Sequence, residues 1–182
     1  RHQAANASSA LGAVEAFFGD QNLDIDAVRA GFAAVTSPGR CEVVHRDPTV
    51  ILDAAHNPHG AKALAETLLN EFNFDEIIAV VGVFGDKDAT GIFQELEQIV
   101  DHVIVTQSSS TRAMPSGELE KIASKIFGAD RVFEVSDLGA ALDRAVGDAV
   151  RPLSEDTVGI IVTGSVVTVG EARTYLRKKF AQ

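Results

Sequence analysis

Apolar and polar positions alternate along the chain with two different periods. Thr49 to Leu52 is a β-branched apolar run and predicts a strand, and from His59 onward Ala61, Leu64, Ala65 and Leu68 recur at helical spacing. Pro58 opens that helix, where a proline lacking its N–H is tolerated. Between them lies a compact polar turn, Asp53 to Asn57. The same cadence continues downstream. Glu76 to Val83 and Val158 to Thr163 are near-continuous apolar runs typical of strands covered on both faces. His102 to Thr106 and Arg131 to Val135 predict two more strands. Helices are predicted over Thr90 to Ile99, from Ser116, from Ser136 or Asp137 to about Val150, and from Ser165 to the basic run Arg177, Lys178 and Lys179. Pro152 to Asp156 reads as a polar connector.

Upstream, Ala4, Ala10, Leu11, Val14 and Phe17 or Phe18 form one apolar helical stripe, and Asp24 or Asp26 caps a second short helix through Phe32. The first strand is Cys41 to Arg46, and Asp47 with Pro48 turns it into Thr49 to Leu52 as an edge hairpin. Strands joined by helical segments need crossover connections and a largely parallel sheet. The fold class is therefore α/β: a three-layer, Rossmann-like domain of about six mostly parallel strands with one antiparallel edge strand. At 182 residues, the chain forms one domain, or one domain with a short appendage.

A formal charge of -10 argues against a nucleic-acid footprint, which needs clustered Lys and Arg. No apolar run approaches the roughly 20 residues that span a bilayer, so no membrane partner is expected. Cys41 is the single cysteine, which rules out an internal disulfide or a cysteine-built zinc cluster and points to a reducing cytoplasm. The five histidines are scattered with no HExxH arrangement, and no protein-only metal site is expected. Neither GxGxxG nor GxxxxGK[ST] occurs, so neither usual phosphate loop is present.

In open α/β sheets the ligand crevice lies beyond the carboxyl ends of the strands. That places His56 with Asn57, Asp86 to Asp88, Thr106 to Arg112, and Gly164 with Ser165 on one edge. Such a lining suits a small polar ligand, and the serine-rich segment from Gln107 to Met114 is expected to be mobile until a ligand orders it. Bland roles fit each residue as well. Asn6, Asp53 and Ser165 can be helix caps, His56 a structural hydrogen-bonder, and Arg40 an ordinary turn residue.

HQAANA near the start, PGR at Pro38 to Arg40, LDAAHNPHGAKAL at Leu52 to Leu64, DKD at Asp86 to Asp88 and GSVVTVGEAR at Gly164 to Arg173 run in order along the chain. Together they resemble the C-terminal domain of the folylpolyglutamate synthase and dihydrofolate synthase branch of the Mur ligase family. The stretch around AHNP is the specific one, and Ala54 stands where the family usually has glycine. The resemblance implies an ATP-driven amide synthesis: a folate or dihydropteroate carboxylate is phosphorylated, and the amine of L-glutamate attacks the acyl phosphate. It also implies that the phosphate loop and the Mg2+ ligands belong to an N-terminal ATP-binding domain absent from this chain, so the fragment alone is expected to be inactive. Carried over residue by residue, Asn6 and Arg40 contact ATP, Asp53 holds the ribose hydroxyls, and His56 and Ser165 lie near the incoming glutamate. Two alternatives stay open: another Mur-type amino-acid ligase, and a non-catalytic α/β ligand-binding module.

Overall fold

The computed structural model describes residues 2–19, 23–150 and 157–181, with side chains from Asn6 onward in the first helix. The chain divides into two compact units, Arg1–Ser37 and Pro38–Gln182. The first contains helices α1 (His2–Phe18) and α2 (Ile25–Ala34). Asp24, one of the two aspartates the sequence offers as the cap, caps α2 by accepting from the amides of Asp26 and Ala27. No residue of α2 is buried, and Phe17, Ile25 and Val35 are all exposed.

The second unit is built on six strands: β1 (Glu42–Arg46), β2 (Thr49–Leu52), β3 (Glu76–Val81), β4 (His102–Gln107), β5 (Val132–Asp137) and β6 (Val158–Thr163). Their order across the sheet is β1-β2-β6-β3-β4-β5. Among the described strands β1 and β2 pair antiparallel, and the other strand pairs are parallel. The helices are α3 (Pro58–Glu71), α4 (Ala89–Leu96), α5 (Ser116–Phe127), α6 (Leu138–Ala149) and α7 (Val166–Phe180). The connector expected over Pro152 to Asp156 lies outside the described residues.

Successive strand residues point to opposite faces, and this alternation divides the core in two. Ile77, Ala79 and Val81 pack with Leu64 and Leu68 of α3, Phe93 of α4 and Leu119 of α5. Ile78 and Val80 pack with Leu142 of α6 and Leu176 of α7. Because both faces are covered, every residue of β6 is buried, which is why its sequence reads as one unbroken apolar run. The unit is thus three layers, helices on either side of a mostly parallel sheet with an antiparallel pair at one edge.

The strand predicted over Glu76 to Val83 ends two residues early, at Val81. Beyond it the chain passes close to the turn after β6: a Cβ on Gly164 would meet the Gly82 carbonyl oxygen at 2.6 Å, and Gly164 has φ +105°. A glycine is required there on both counts.

Candidate functional site

Four turns meet at the carboxyl edge of the sheet. The turn after β2 is stitched to its neighbours by backbone bonds: Ala54 N–H donates to Gly39 O at 2.7 Å, and Gly164 N–H donates to Ala55 O at 3.0 Å. Gly82 N–H reaches Thr163 O at 3.1 Å, which ties the end of β3 to the end of β6. The candidate residues Arg40, Asp53, His56 and Ser165 all lie on these joined turns, at one edge of one unit. Asn6 belongs to the first unit, on α1, where it is exposed.

Asp53 fastens the corner. One carboxylate oxygen accepts from Cys41 N–H at 2.8 Å and the other from Ala55 N–H at 2.9 Å, across a sequence gap of twelve residues in the first case. It does not cap the following helix. Asn57 does that, accepting from Gly60 N–H at 2.8 Å with Pro58 in the first turn, so the capping reading of Asp53 is replaced by a backbone clamp. Burial pushes the Asp53 carboxyl above its ordinary value, against the lowering effect of its two amide donors and of the Arg40 charge. Cys41, held at φ +48°, is pushed up to about 11 by burial and by the neighbouring Asp53 carboxylate.

Arg40 is exposed and makes no salt bridge among the described residues, although its charge is felt at Asp53. A permanent cation held next to a carboxylate on a short, fixed turn suits a ligand that carries both phosphate and hydroxyl groups. Each Asp53 oxygen retains a second acceptor direction after taking its amide.

His56 is exposed, with Nδ1 3.0 Å from the Ala54 carbonyl oxygen. A carbonyl only accepts, so Nδ1 carries the hydrogen and Nε2 is the acceptor of the neutral ring. Ser165 is placed differently. It is 1% exposed, and its hydroxyl accepts from Thr168 N–H at 3.0 Å while donating to Thr168 Oγ1 at 2.8 Å. Thr168 in turn donates to Gly82 O at 3.0 Å. The hydroxyl of Ser165 is committed to capping α7 and locking the β3 turn, which is the geometry of a positioning residue.

Two features of the edge were not evident in the sequence. The serine-rich segment is tied to its neighbours: Ser109 Oγ donates to Glu171 Oε1 at 2.5 Å, Met114 N–H donates to Val83 O at 2.9 Å, and Gly85 N–H donates to Arg112 O at 3.0 Å. Asp86 bridges Lys87 at 3.1 Å and Arg112 at 2.9 Å, and hydrogen bonds from these two cations hold its carboxyl below the usual range. The guanidinium of Arg112 also lies 4.8 Å from the centre of the Phe84 ring. The DKD triplet was a visible signal for half of this cluster, whereas Arg112 joins it from 26 residues away. Among the described residues there is no group of three or more His, Cys, Asp or Glu placed to hold a metal ion, and no helix is long and apolar enough to cross a membrane.

A family model described as Mur ligase, glutamate ligase domain, matches residues 39–166. The dihydrofolate synthase/folylpolyglutamate synthase of Mycobacterium tuberculosis is 51% identical over 184 residues, covering 95% of this chain and 38% of that protein. The solved structure of Mycobacterium tuberculosis folylpolyglutamate synthase complexed with ADP superimposes with a TM-score of 0.89 at 53% identity, over 96% of this chain and 40% of that one. Escherichia coli FolC in complex with DHPP and ADP gives a TM-score of 0.81 at 26% identity, over 96% of this chain and 39% of that one. The chain therefore spans about two-fifths of the length of these relatives.

Proposed function

The chain belongs to the Mur ligase family and carries its glutamate ligase domain, and from that premise we propose that it is the C-terminal part of an ATP-dependent ligase that joins L-glutamate to a folate or dihydropteroate carboxylate. The observation that carries this reading is the 51% identity, over 95% of the chain, to the Mycobacterium tuberculosis dihydrofolate synthase/folylpolyglutamate synthase. The C-terminal domain is read as residues 1–182, made of the two compact units Arg1–Ser37 and Pro38–Gln182. A preceding ATP-binding domain supplies the phosphate loop and the ligands of the Mg2+ ion, and the 182 residues alone have no ligase activity.

The chemistry follows from the electrophile. A carboxylate resists attack by an amine, and transfer of a phosphoryl group from ATP gives it a leaving group. The amine of glutamate then attacks the acyl phosphate carbon, the C–O bond to phosphate breaks, and an amide, phosphate and ADP result. Mg2+, whose ligands would lie outside this chain, would supply charge screening of the nucleotide phosphates. Within the chain, Arg40 meets the phosphates with a permanent charge, and Asp53 accepts from the ribose hydroxyls while its amide clamps keep it in place. Asn6 adds an amide contact to the nucleotide. His56, with Nδ1–H held by the Ala54 carbonyl, keeps Nε2 as its acceptor for a role near the incoming glutamate. Ser165 acts by holding the turns between β3, β6 and α7 rather than by touching substrate through its hydroxyl. Closure of this half over nucleotide gripped by the other half assembles the site.

The experiment is a coupled assay for ADP release by the full-length protein, with ATP, L-glutamate and either dihydropteroate or a reduced folate. Release that requires both the glutamate and the pterin acid supports the proposal. ADP release that another amino acid supports equally well, or none with any acceptor, overturns it.

A further inference from the structure

Arg40 stands on a turn whose flanking amides are both taken by carboxylates. Gly39 N–H donates to Glu42 Oε2 at 2.8 Å, and Cys41 N–H donates to Asp53 at 2.8 Å. The backbone on either side of Arg40 is left-handed, with φ +68° at Gly39 and +48° at Cys41. At a residue that carries a side chain, such a conformation persists where its surroundings over-determine it. Asp53 supplies one of the two restraints and belongs to the nucleotide corner already described. Glu42 supplies the other, and it is itself held from α7.

Arg173 Nε donates to both oxygens of the Glu42 carboxylate, at 2.9 and 3.0 Å, from 131 residues further along the chain. The two side chains are 27% and 21% exposed, so solvent screens this pair less than an ion pair on the open surface. Val169, one turn before Arg173 on the same face of α7, lies directly against the turn: a Cβ on Gly39 would meet Val169 Cγ1 at 2.9 Å. Complementing the helix dipole accounts for Arg177, Lys178 and Lys179 in the last turn of α7, but not for Arg173, which lies before that turn. The contacts run from Arg173 to Glu42, from Glu42 to Gly39 N–H, and so to the residue that precedes Arg40. We propose that Arg173 is a positioning residue for the nucleotide: acting through Glu42 and Gly39, it fixes the backbone from which Arg40 reaches the phosphates, so that the turn does not have to order when ATP binds. The inference rests on the reading of Arg40 as a phosphate contact and adds the residue that sets its place.

The test is a double-mutant cycle in the full-length protein, with Arg173→Gln, Arg40→Ala and the two combined, read by glutamate-dependent ADP release. A positioning residue is worth no more than the contact it positions, so Arg173→Gln should raise KM for ATP about three- to tenfold, and no further than Arg40→Ala does, with KM for L-glutamate within about twofold of wild type. In the Arg40→Ala background the same substitution should change KM for ATP by less than about twofold. Arg173→Lys, which still offers Glu42 a cation, should recover most of the loss. Hydrogen exchange of the peptide spanning Gly39 and Cys41 reads the turn without turnover, and it should quicken in Arg173→Gln but not in Arg40→Ala. If Arg173→Gln does not fold, Glu42→Gln takes its place in the cycle with the same expected signs. Equal factors in both backgrounds, a parallel rise in KM for ATP and for glutamate, or unchanged exchange at the turn overturns the proposal. If Arg40→Ala itself leaves KM for ATP unchanged, the reading of Arg40 has failed rather than the brace, and the exchange result alone decides whether Arg173 holds the turn.

Discussion

Replacing Ser165 by alanine separates a structural hydroxyl from a substrate-binding one. In the folded chain Ser165 Oγ accepts from Thr168 N–H and donates to Thr168 Oγ1, at a position 1% exposed. Ser165→Ala removes the N-cap of α7 and leaves the Thr168 amide without an acceptor in a site that water does not reach. Cap loss costs about 0.5–2 kcal/mol, and a stranded buried donor costs about 1–3 kcal/mol. Both ranges describe the same lost bond, so they overlap and do not add, and about 2 kcal/mol is the working figure. For a protein of this size that corresponds to a fall in Tm of about 4–8 °C. The measurement is thermal unfolding of wild type and variant at equal concentration, followed by circular dichroism, with KM for glutamate determined on the full-length pair well below both transitions. The expected result is a clear loss of stability with a much smaller change in KM. A Tm within about 1 °C of wild type together with a large rise in glutamate KM would show that the hydroxyl touches substrate and that the cap geometry is incidental.

Two further substitutions and a thiol-labelling experiment probe the same edge. Gly164→Ala places a Cβ 2.6 Å from Gly82 O at φ +105°, so a loss of about 3 kcal/mol or more is expected in denaturant unfolding, and a loss under about 1 kcal/mol would show that the turn can relax. Asp53 has its carboxyl raised above 3.8 by burial, so the stability it contributes is fully present below that value and is lost as pH rises through the folded-state value. The stability gap between wild type and Asp53→Asn should therefore be larger at pH 3.5 than at pH 7, and a gap that widens toward neutral pH contradicts the burial argument. Cys41 is raised from 9.0 to about 11, which cuts the thiolate fraction near pH 8 about a hundredfold. Alkylation by iodoacetamide should be correspondingly slow and should quicken in Asp53→Asn, where the neighbouring negative charge is gone.

Most of the element order could be read from the sequence because burial on both faces leaves a plain mark. Val158 to Thr163 is apolar throughout, and the structure buries all six of its residues. Sheet order left no such mark. The last strand in the chain inserts between β2 and β3, and nothing in a run of valines and isoleucines says which strand lies beside it. Long-range polar contacts were hidden for the same reason. The bond from Cys41 N–H to Asp53, the pairing of Arg173 with Glu42 and the Ser109 to Glu171 bond depend on where the crossovers bring the chain back. Local chemistry was easier to place: Asp24 and Ser165 cap the helices that follow them, as their residue types suggest. Asp53 misled because a carboxylate at a strand end looks like a cap, and Asn57, four residues later, holds that position instead.

The nucleotide-binding role proposed for Arg40 and Asp53 is the centre of the account, and Arg40→Ala in the full-length protein tests it most directly. Arg40 is exposed and forms no salt bridge among the described residues, so the variant should fold as wild type does. Loss of a charged contact to phosphate should raise KM for ATP about tenfold or more in the glutamate-dependent ADP-release assay. An unchanged KM for ATP with unchanged turnover would contradict the account.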